Sequence, residues 1–361
     1  MQVGVYKVKM GNPGDVSDLE RQIEAGDINP ADIVALIGKT EGNGGANDFT
    51  RGFATQSFSL LLSKYLAISP EAVLRRVAFV WSGGTEGVLS PHATVFTRSD
   101  SPPSTTKRLA IGIAVTRDLA PEEVGTMLEV REVAAAVRRA LIDAGIDDAH
   151  DVHYVQVKGP LLTPAAVQDA ERRGVALVTQ DPNGSKPYAR GATALGVAVA
   201  LGEVDEADLD DSVIARRMDL CSLVANTSAG GEVRNCEILL FGNSAKAGGN
   251  LRIGHGTLRD VIDTAGICDA VRNAFDDEDA VIDPQRIRAV FAKAEAPVGG
   301  MLRGCRTTML SDADINYERH ARAALGAVIA SVTGNSQIFV SGGTEHQCKP
   351  GEAPVAVVVS V

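Results

Sequence analysis

Residues Val80–Gly87 read VWSGGTEG, and residues Val340–His346 read VSGGTEH. The two stretches lie near opposite ends of the chain and share five consecutive residues, Ser-Gly-Gly-Thr-Glu, directly after an apolar β-type run. Identity of that length after the same kind of segment indicates internal duplication. The middle third carries a looser copy, TSAGGE at Thr227–Glu232. Each third therefore has a serine at the end of an apolar segment, opening a glycine-rich turn.

Upstream of each serine stands a lysine: Lys39 in IGKTEGNGG, Lys158 in VQVKGPLLT and Lys293 in FAKAEAP. Between lysine and serine stands an arginine beside small residues: Arg51 in FTRGFA, Arg190 in YARGATALG and Arg322 in HARAALG. The order Lys, Arg, Ser holds three times, although the lysine-to-serine spacings are 43, 70 and 48 residues. Repeats of about a hundred residues are too long for solenoid units and too few for a propeller. Three copies predict pseudo-threefold symmetry about a central axis, with equivalent loops converging on one small polar pocket suited to a ligand of near-threefold symmetry.

Outward from these turns the pattern is α/β, with Val-, Ile- and Phe-rich runs alternating with helical spacing. Strands are expected at Gln2–Met10, Asp32–Gly38, Arg76–Trp81 and His92–Arg98. Among them, Ser17 with Glu20 has capping-box spacing, and Ser69-Pro70-Glu71 is a helix start. RSDSPPSTT, Arg98–Thr106, breaks the periodicity and reads as a linker. The next stretch predicts strands at Arg108–Thr116, Val152–Lys158, Val175–Gln180 and Cys236–Gly242, and helices at Pro121–Gly145, after Thr163-Pro164 and at Gly191–Leu201. KAGGN, Lys246–Asn250, is a second linker. Beyond it come helices near Leu258–Asn273, Pro284–Ala294 and His320–Val332 and strands at Gln337–Ser341 and Pro354–Val359. The breaks divide the chain into units 1–104, 105–250 and 251–361.

Composition narrows the function. A chain of 361 residues exceeds one ordinary core, and 45% apolar with 22% charged residues excludes disorder and coiled coil. Lys plus Arg number 35 against 46 Asp plus Glu, a net charge of −11 that repels phosphate backbones and anionic lipid. Only 4% of residues are aromatic, too few for base-stacking platforms. Nucleic-acid and membrane partners are therefore not expected. The five cysteines form no C-x-x-C pair and read as reduced thiols. MQVGVYKVKM reads as a first strand, not a signal peptide, and no apolar run approaches the roughly 20 residues of a membrane span, so a cytoplasmic location is expected.

A serine hydroxyl attacks only when a base takes its proton, and a lysine amine serves when burial or nearby positive charge keeps it neutral. Guanidinium groups donate paired hydrogen bonds to carbonyl oxygens, and a small residue after the serine lets main-chain N–H groups approach an oxyanion. The set fits acyl transfer at a cyclic amide or imide. Taken singly, a Ser-Gly-Gly turn is commonly a plain loop, and lysines and arginines are commonly surface charges; the threefold order sets these apart. Gly38-Lys39-Thr40 lacks the earlier glycine of a phosphate loop, residue 33 being Ile. Ser104-Thr105-Thr106-Lys107 has S-x-x-K spacing but sits in the proline-rich linker. No G-x-S-x-G or H-E-x-x-H occurs, and the histidines do not follow the repeat. Two other classes stay open: a noncatalytic binder of a symmetric planar ligand, and a scaffold of degenerate repeats.

VQVKGPLLTP, YARGATALG, FAKAEA, TMLSDADIN, HARAALGAVIAS and the paired SGGTEG and SGGTEH carry a resemblance to a known family. The chain resembles the cyanuric acid amidohydrolase and barbiturase family from first strand to C-terminus. The resemblance implies three similar α/β repeats around a central barrel-like core with the active site on the pseudo-threefold axis. It implies hydrolytic opening of a six-membered cyclic imide, cyanuric or barbituric acid, the former giving a carboxybiuret-type product, without a catalytic cofactor. Matched residue by residue, Ser228 is the nucleophile and Lys158 its base. Ser82 with Lys39 and Ser341 with Lys293 would bind and polarise the ring, aided by Arg51, Arg190, Arg322 and the residues after the serines, Gly83, Ala229 and Gly342. The resemblance also implies a homotetramer and a structural Mg²⁺ or Ca²⁺ in the third repeat, held by Glu295 and oxygens of the loop carrying Thr344, Gln347, Cys348, Lys349 and Glu352. A plain ion pair of Glu295 with Lys293 or Arg303 is the alternative for that carboxylate.

Overall fold

The computed structural model describes residues 1–361. Alternating apolar positions at the N-terminal end build β1 (Gln2–Lys9), α1 (Ser17–Glu24), β2 (Ile33–Thr40), α2 (Phe49–Leu66), α3 (Pro70–Arg76), β3 (Ala78–Gly83) and β4 (His92–Ser99). There follow β5 (Arg108–Val115), α4 (Met127–Ala144), β6 (Val152–Pro160), α5 (Pro164–Arg173), α6 (Ser185–Leu201), β7 (Ala225–Gly230) and β8 (Glu237–Ser244). The rest forms β9 (Leu251–Leu258), α7 (Thr264–Phe275), β10 (Ile287–Ala294), a two-stranded ribbon of β11 (Met301–Leu302) and β12 (Cys305–Arg306), α8 (Tyr317–Thr333), β13 (Phe339–Gly342) and β14 (Ala353–Ser360).

The strands make three four-stranded sheets with orders β1-β4-β2-β3, β5-β8-β6-β7 and β9-β14-β10-β13. Numbered along the chain, each sheet has the order first, fourth, second, third. In each, the fourth strand runs antiparallel to both neighbours and the second runs parallel to the third. A parallel pair needs a crossover. Helices α2 and α3, α5 and α6, and α8 supply it.

Strand pairing stays within each sheet apart from two isolated bridges, Gln2 with Gly248 and Ser222 with Gln347. The expected barrel-like core is therefore corrected: the sheets are open, and no barrel closes. Their inner faces instead share one core, in which Ala35, Ile37 and Phe96 meet Tyr154 and Phe241 and also Phe291 and Phe339. The Phe96 ring packs tilted against Phe241 with centroids 4.8 Å apart, and Tyr154 stacks 4.9 Å from Phe291. The opposite faces lie under helices, as Leu36, Phe79 and Trp81 do with Phe58 and Leu62 of α2. No helix is long and apolar enough to cross a membrane.

Several local expectations change. Ile287–Ala294 is a strand, not a helix, because Pro284 opens only a three-residue 3-10 turn before it. Val175–Gln180 is loop, with no strand beside it to pair. Helix α4 begins at Met127, since Pro121–Glu123 forms a separate 3-10 turn. The Ser17 capping box does not form: Ser17 Oγ donates to Asp15 at 2.7 Å, and Glu20 pairs with Lys64 at 2.8 Å. Thr163 and Ser69 do cap their helices, accepting from the N–H groups of Ala166 and Ala72. All five cysteines are free thiols.

Candidate active site

The two-residue period of a strand decides where the lysines point. On β2, Ala35 and Ile37 face the shared core, so Lys39 extends the same row. On β6 the row is Tyr154, Gln156, Lys158, and on β10 it is Ala289, Phe291, Lys293. Each lysine ends an inner-face row and is at most 1% exposed. The serines follow the same rule: Ser82 continues Ala78 and Val80, and Ser341 continues Phe339.

Strand register then pairs them. Lys39 lies opposite Ser82, Lys158 opposite Ser228, and Lys293 opposite Ser341, each across a parallel pair. Unequal sequence spacings thus become one structural relation. Lys39 Nζ donates to Ser82 Oγ and the Gly83 carbonyl, both at 3.1 Å. Lys293 Nζ donates to Ser341 Oγ at 3.1 Å and the Gly342 carbonyl at 3.0 Å, and reaches into the second sheet to the Thr227 carbonyl at 2.6 Å. Lys158 differs. Its Nζ lies 2.8 Å from Glu232 and 3.3 Å from the Trp81 carbonyl of the first sheet, and Ser228 Oγ is buried without a hydrogen-bond partner.

Arg51 lies in the first turn of α2, Arg190 and Arg322 lie in the second turns of α6 and α8, and all three are buried. A buried cation needs a compensating anion. Glutamates from the glycine-rich turns supply it. Glu86 accepts from Arg322 Nε at 2.9 Å and Nη2 at 2.5 Å. Glu345 accepts from Arg190 Nε and Nη2, both at 2.7 Å, and Glu318 takes a further contact at 3.2 Å. Glu232 meets Arg51 only at 3.2 Å and without hydrogen-bond geometry. The links run in a cycle: the first sheet's turn holds the third arginine, the second sheet's turn the first, and the third sheet's turn the second.

These glutamates were missed by sequence reasoning, although they stand inside the quoted repeats. Their recurrence at the end of SGGTE and TSAGGE was the available signal. The second glycine of the outer copies is required by conformation, since Gly84 and Gly343 have φ of +101° and +80°. A Cβ at Gly343 would also collide with the Arg190 guanidinium. The middle copy has no such left-handed glycine.

Burial holds the Lys39 ammonium well below its ordinary range, helped by Arg322 and Lys293. Burial, with Arg190, brings Lys293 down to about 7. Lys158 is lowered by burial too, but Glu232 pulls it back up. Across the antiparallel strands, Lys39 faces His92 whereas Lys158 faces Glu237. Burial pushes that Glu237 carboxyl up to about 7. Clefts flank the convergence. One of about 700 Å³, lined in part by Gln56, Phe79 and Asp118, reaches Glu232 and Glu237. Another of about 280 Å³ reaches Glu295, Thr344 and Glu345.

The third-repeat residues singled out for a metal divide. Glu295 accepts from the N–H and hydroxyl of Thr344 at 3.2 and 2.8 Å and has no basic partner. Neither alternative ion pair forms, since Arg303 binds Asp260 at 2.7 Å and Lys293 is engaged with Ser341. Gln347 Oε1 accepts from the Thr227 N–H at 2.7 Å, and the buried Cys348 thiol is pushed up by burial and stays protonated. Lys349 is exposed, and its N–H donates to Glu352 at 3.3 Å. No three His, Cys, Asp or Glu side chains cluster in metal-binding geometry. One half-buried carboxylate without a basic partner fits a hard divalent cation; the thiol and ammonium do not fit as ligands. The S-x-x-K pair has no partnership, as Lys107 binds Asp151 at 2.6 Å and Ser104 reaches the Gly249 carbonyl.

Residues 4–360 match the family model of the amidohydrolase ring-opening proteins. A cyclic amide hydrolase of Azorhizobium caulinodans is 64% identical over 99% of this chain and 100% of its own length. A cyanuric acid amidohydrolase of Enterobacter cloacae is 49% identical over 99% of both chains. A solved cyanuric acid hydrolase superposes with a TM-score of 0.93 at 47% identity, covering 100% of this chain and 99% of that one. With sheets, turns and Lys–Ser registers in place, and with a match running from one end to the other, the chain belongs to the ring-opening amidohydrolase family.

Proposed function

We propose that the protein hydrolyses cyanuric acid to a carboxybiuret-type product, with Ser228 as nucleophile and Lys158 as its base. The supporting observation is the asymmetry among three pairs of equal register: Lys39 and Lys293 are bound to their serines, whereas Ser228 Oγ has no partner. The names of the relatives favour cyanuric over barbituric acid.

Units 1–104, 105–250 and 251–361 act as three repeats about a pseudo-threefold axis, with a planar ring of alternating carbonyl and N–H groups at its centre. Arg51, Arg190 and Arg322 bind ring oxygens, and Ser82 and Ser341 with their lysines hold the other sides. Main-chain N–H groups at Gly83, Ala229 and Gly342 add polarisation. Lys158 as a neutral amine takes the Ser228 proton while Oγ bonds to a ring carbonyl carbon. As the ring C–N bond breaks, the Lys158 ammonium returns a proton to the departing nitrogen. Water then attacks the acyl carbon, its proton passes to Lys158 and on to Ser228 Oγ, and the carboxyl product leaves. No cofactor takes part in these steps.

Supply of cyanuric acid and, separately, barbituric acid to the purified protein tests the reading. Loss of cyanuric acid with matching formation of one ring-opened product supports it. Preferential turnover of barbituric acid would replace the substrate, and tight binding with both rings intact would replace catalysis by a binding role. A structural Mg²⁺ or Ca²⁺ on Glu295 and loop carbonyls is part of the same proposal, with Glu295→Gln expected to lose bound metal and melt lower. A homotetramer is expected by light scattering.

A further inference from the structure

The three stations can be compared with one another inside a single molecule. At two of them the arginine is gripped at two points by a glutamate, Arg322 by Glu86 and Arg190 by Glu345, and the lysine is hydrogen-bonded to its serine. At the middle station both relations are undone together. Glu232 Oε1 lies 2.8 Å from Lys158 Nζ and 3.2 Å from Arg51 Nε, Arg51 Nε has no hydrogen bond, and Ser228 Oγ is orphaned. One carboxylate oxygen shared between two cations accounts for all of these facts. A buried hydroxyl and a buried guanidinium N–H without hydrogen bonds both cost stability, so this arrangement persists only while the Glu232–Lys158 contact offsets them.

We infer that Glu232 is a positioning residue that gates the middle pair: seated on Lys158 it holds the amine off Ser228, and moving to a two-point contact with Arg51 it releases the amine to the hydroxyl. The inference rests on Ser228 and Lys158 being nucleophile and base. The released amine can then receive the Ser228 proton, and no other group changes protonation in that step. A ring oxygen bound by Arg51 would order that guanidinium and favour the closed grip, so that the base is armed when substrate is present.

The charged groups facing this trio are Arg51 from α2, Glu237 from β8, and Asp118 and Arg234 along the flanking cleft. Glu232 and Glu237 both favour the Lys158 ammonium, while burial and Arg51 disfavour it. The rate of reaction with free substrate rises with pH as Lys158 loses its proton, so removing the Glu232 charge moves that rise to lower pH.

Glu232→Gln should shift the acid limb of kcat/KM downward by about 1–3 pH units, the usual effect of an adjacent opposite charge. Glu86→Gln, at an outer station, should raise KM and leave that limb in place. An unmoved limb in Glu232→Gln, or an equal shift in both variants, overturns the gate. A crystal structure of Ser228→Ala with cyanuric acid bound is the second arm and does not depend on Glu232→Gln folding. It should show Glu232 on both Arg51 Nε and Nη2 and clear of Lys158; Glu232 still on Lys158 overturns the gate. Lys158→Met separates the two claims: if it turns over normally, the base assignment fails, whereas an inactive Lys158→Met with an unmoved Glu232→Gln limb removes the gate alone.

Discussion

The outer and middle Lys–Ser pairs share strand register and burial but differ in what the lysine touches. Lys39 and Lys293 each donate to their own serine and to the next main-chain carbonyl, a fixed geometry in which the hydroxyl is already engaged. Lys158 sits on a carboxylate, and Ser228 is left without a partner. The difference comes from the surroundings: TSAGGE replaces SGGTE, no left-handed glycine follows Ser228, and Glu237 stands where His92 stands beside Lys39. One strand arrangement thus carries two stations in which lysine and serine are hydrogen-bonded and one in which they are not, an asymmetry that the proposed attack at a single ring carbonyl would use.

The largest effect that sharpens this contrast is expected from the serines. Ser228→Ala should lower kcat by about 10⁴-fold or more, the scale of a lost nucleophile, while Ser82→Ala and Ser341→Ala lose hydrogen bonds and mainly raise KM. Steady-state kinetics on the three variants decides it, and equal losses would break the distinction. Next come the lysines: Lys158→Met should cost about 10²–10⁴-fold in kcat, the range of a general base, and lower the melting temperature, because Glu232 loses the cation 2.8 Å away. For the arginines, Arg190→Lys breaks two short contacts to Glu345, while Arg51 has no such grip to lose. Arg190→Lys should therefore raise KM about tenfold or more and Arg51→Lys less, by the ~1.5–3 kcal/mol of a charge-assisted hydrogen bond.

The smallest effect separates the cross-strand neighbours by sign. The folded state raises Glu237 from 4.5 to about 7, so it binds a proton there more tightly than the unfolded chain. That contribution is fully present below about pH 4.5 and is lost as pH rises through about 7. Burial holds His92 well below 6.5, so its contribution runs the other way, and stability rises with pH up to about 6.5. Melting curves against pH should show Glu237→Gln removing a falling component and His92→Asn removing a rising one. Slopes of the same sign in both would contradict the assigned environments.

Much of the site was legible because the repeat is local: a lysine row, an arginine beside small residues and a serine before glycine recur whatever the loops between them do. The cycle joining Arg51 to Glu232, Arg190 to Glu345 and Arg322 to Glu86 was not legible, since each partner lies in a different third of the chain and nothing in its neighbourhood marks the pairing. Helix α2 escaped because FTRGFATQSFSLLLSKYL has no clean apolar stripe. Strand β9, LRIGHGTL, hides behind glycines at every other position, where Gly254 and Gly256 let α7 approach the sheet. Strand β10 looked helical because IRAVFAKA is rich in helix formers; pairing with β14 and β13 on both sides overrides that propensity.

The central claim is that one serine of three forms the acyl bond. Rapid acid quench of the protein turning over cyanuric acid, followed by peptide mass spectrometry, tests it directly. A ring-derived mass on the peptide containing Ser228 is the predicted result, and the same mass on the peptide of Ser82 or of Ser341 would contradict it.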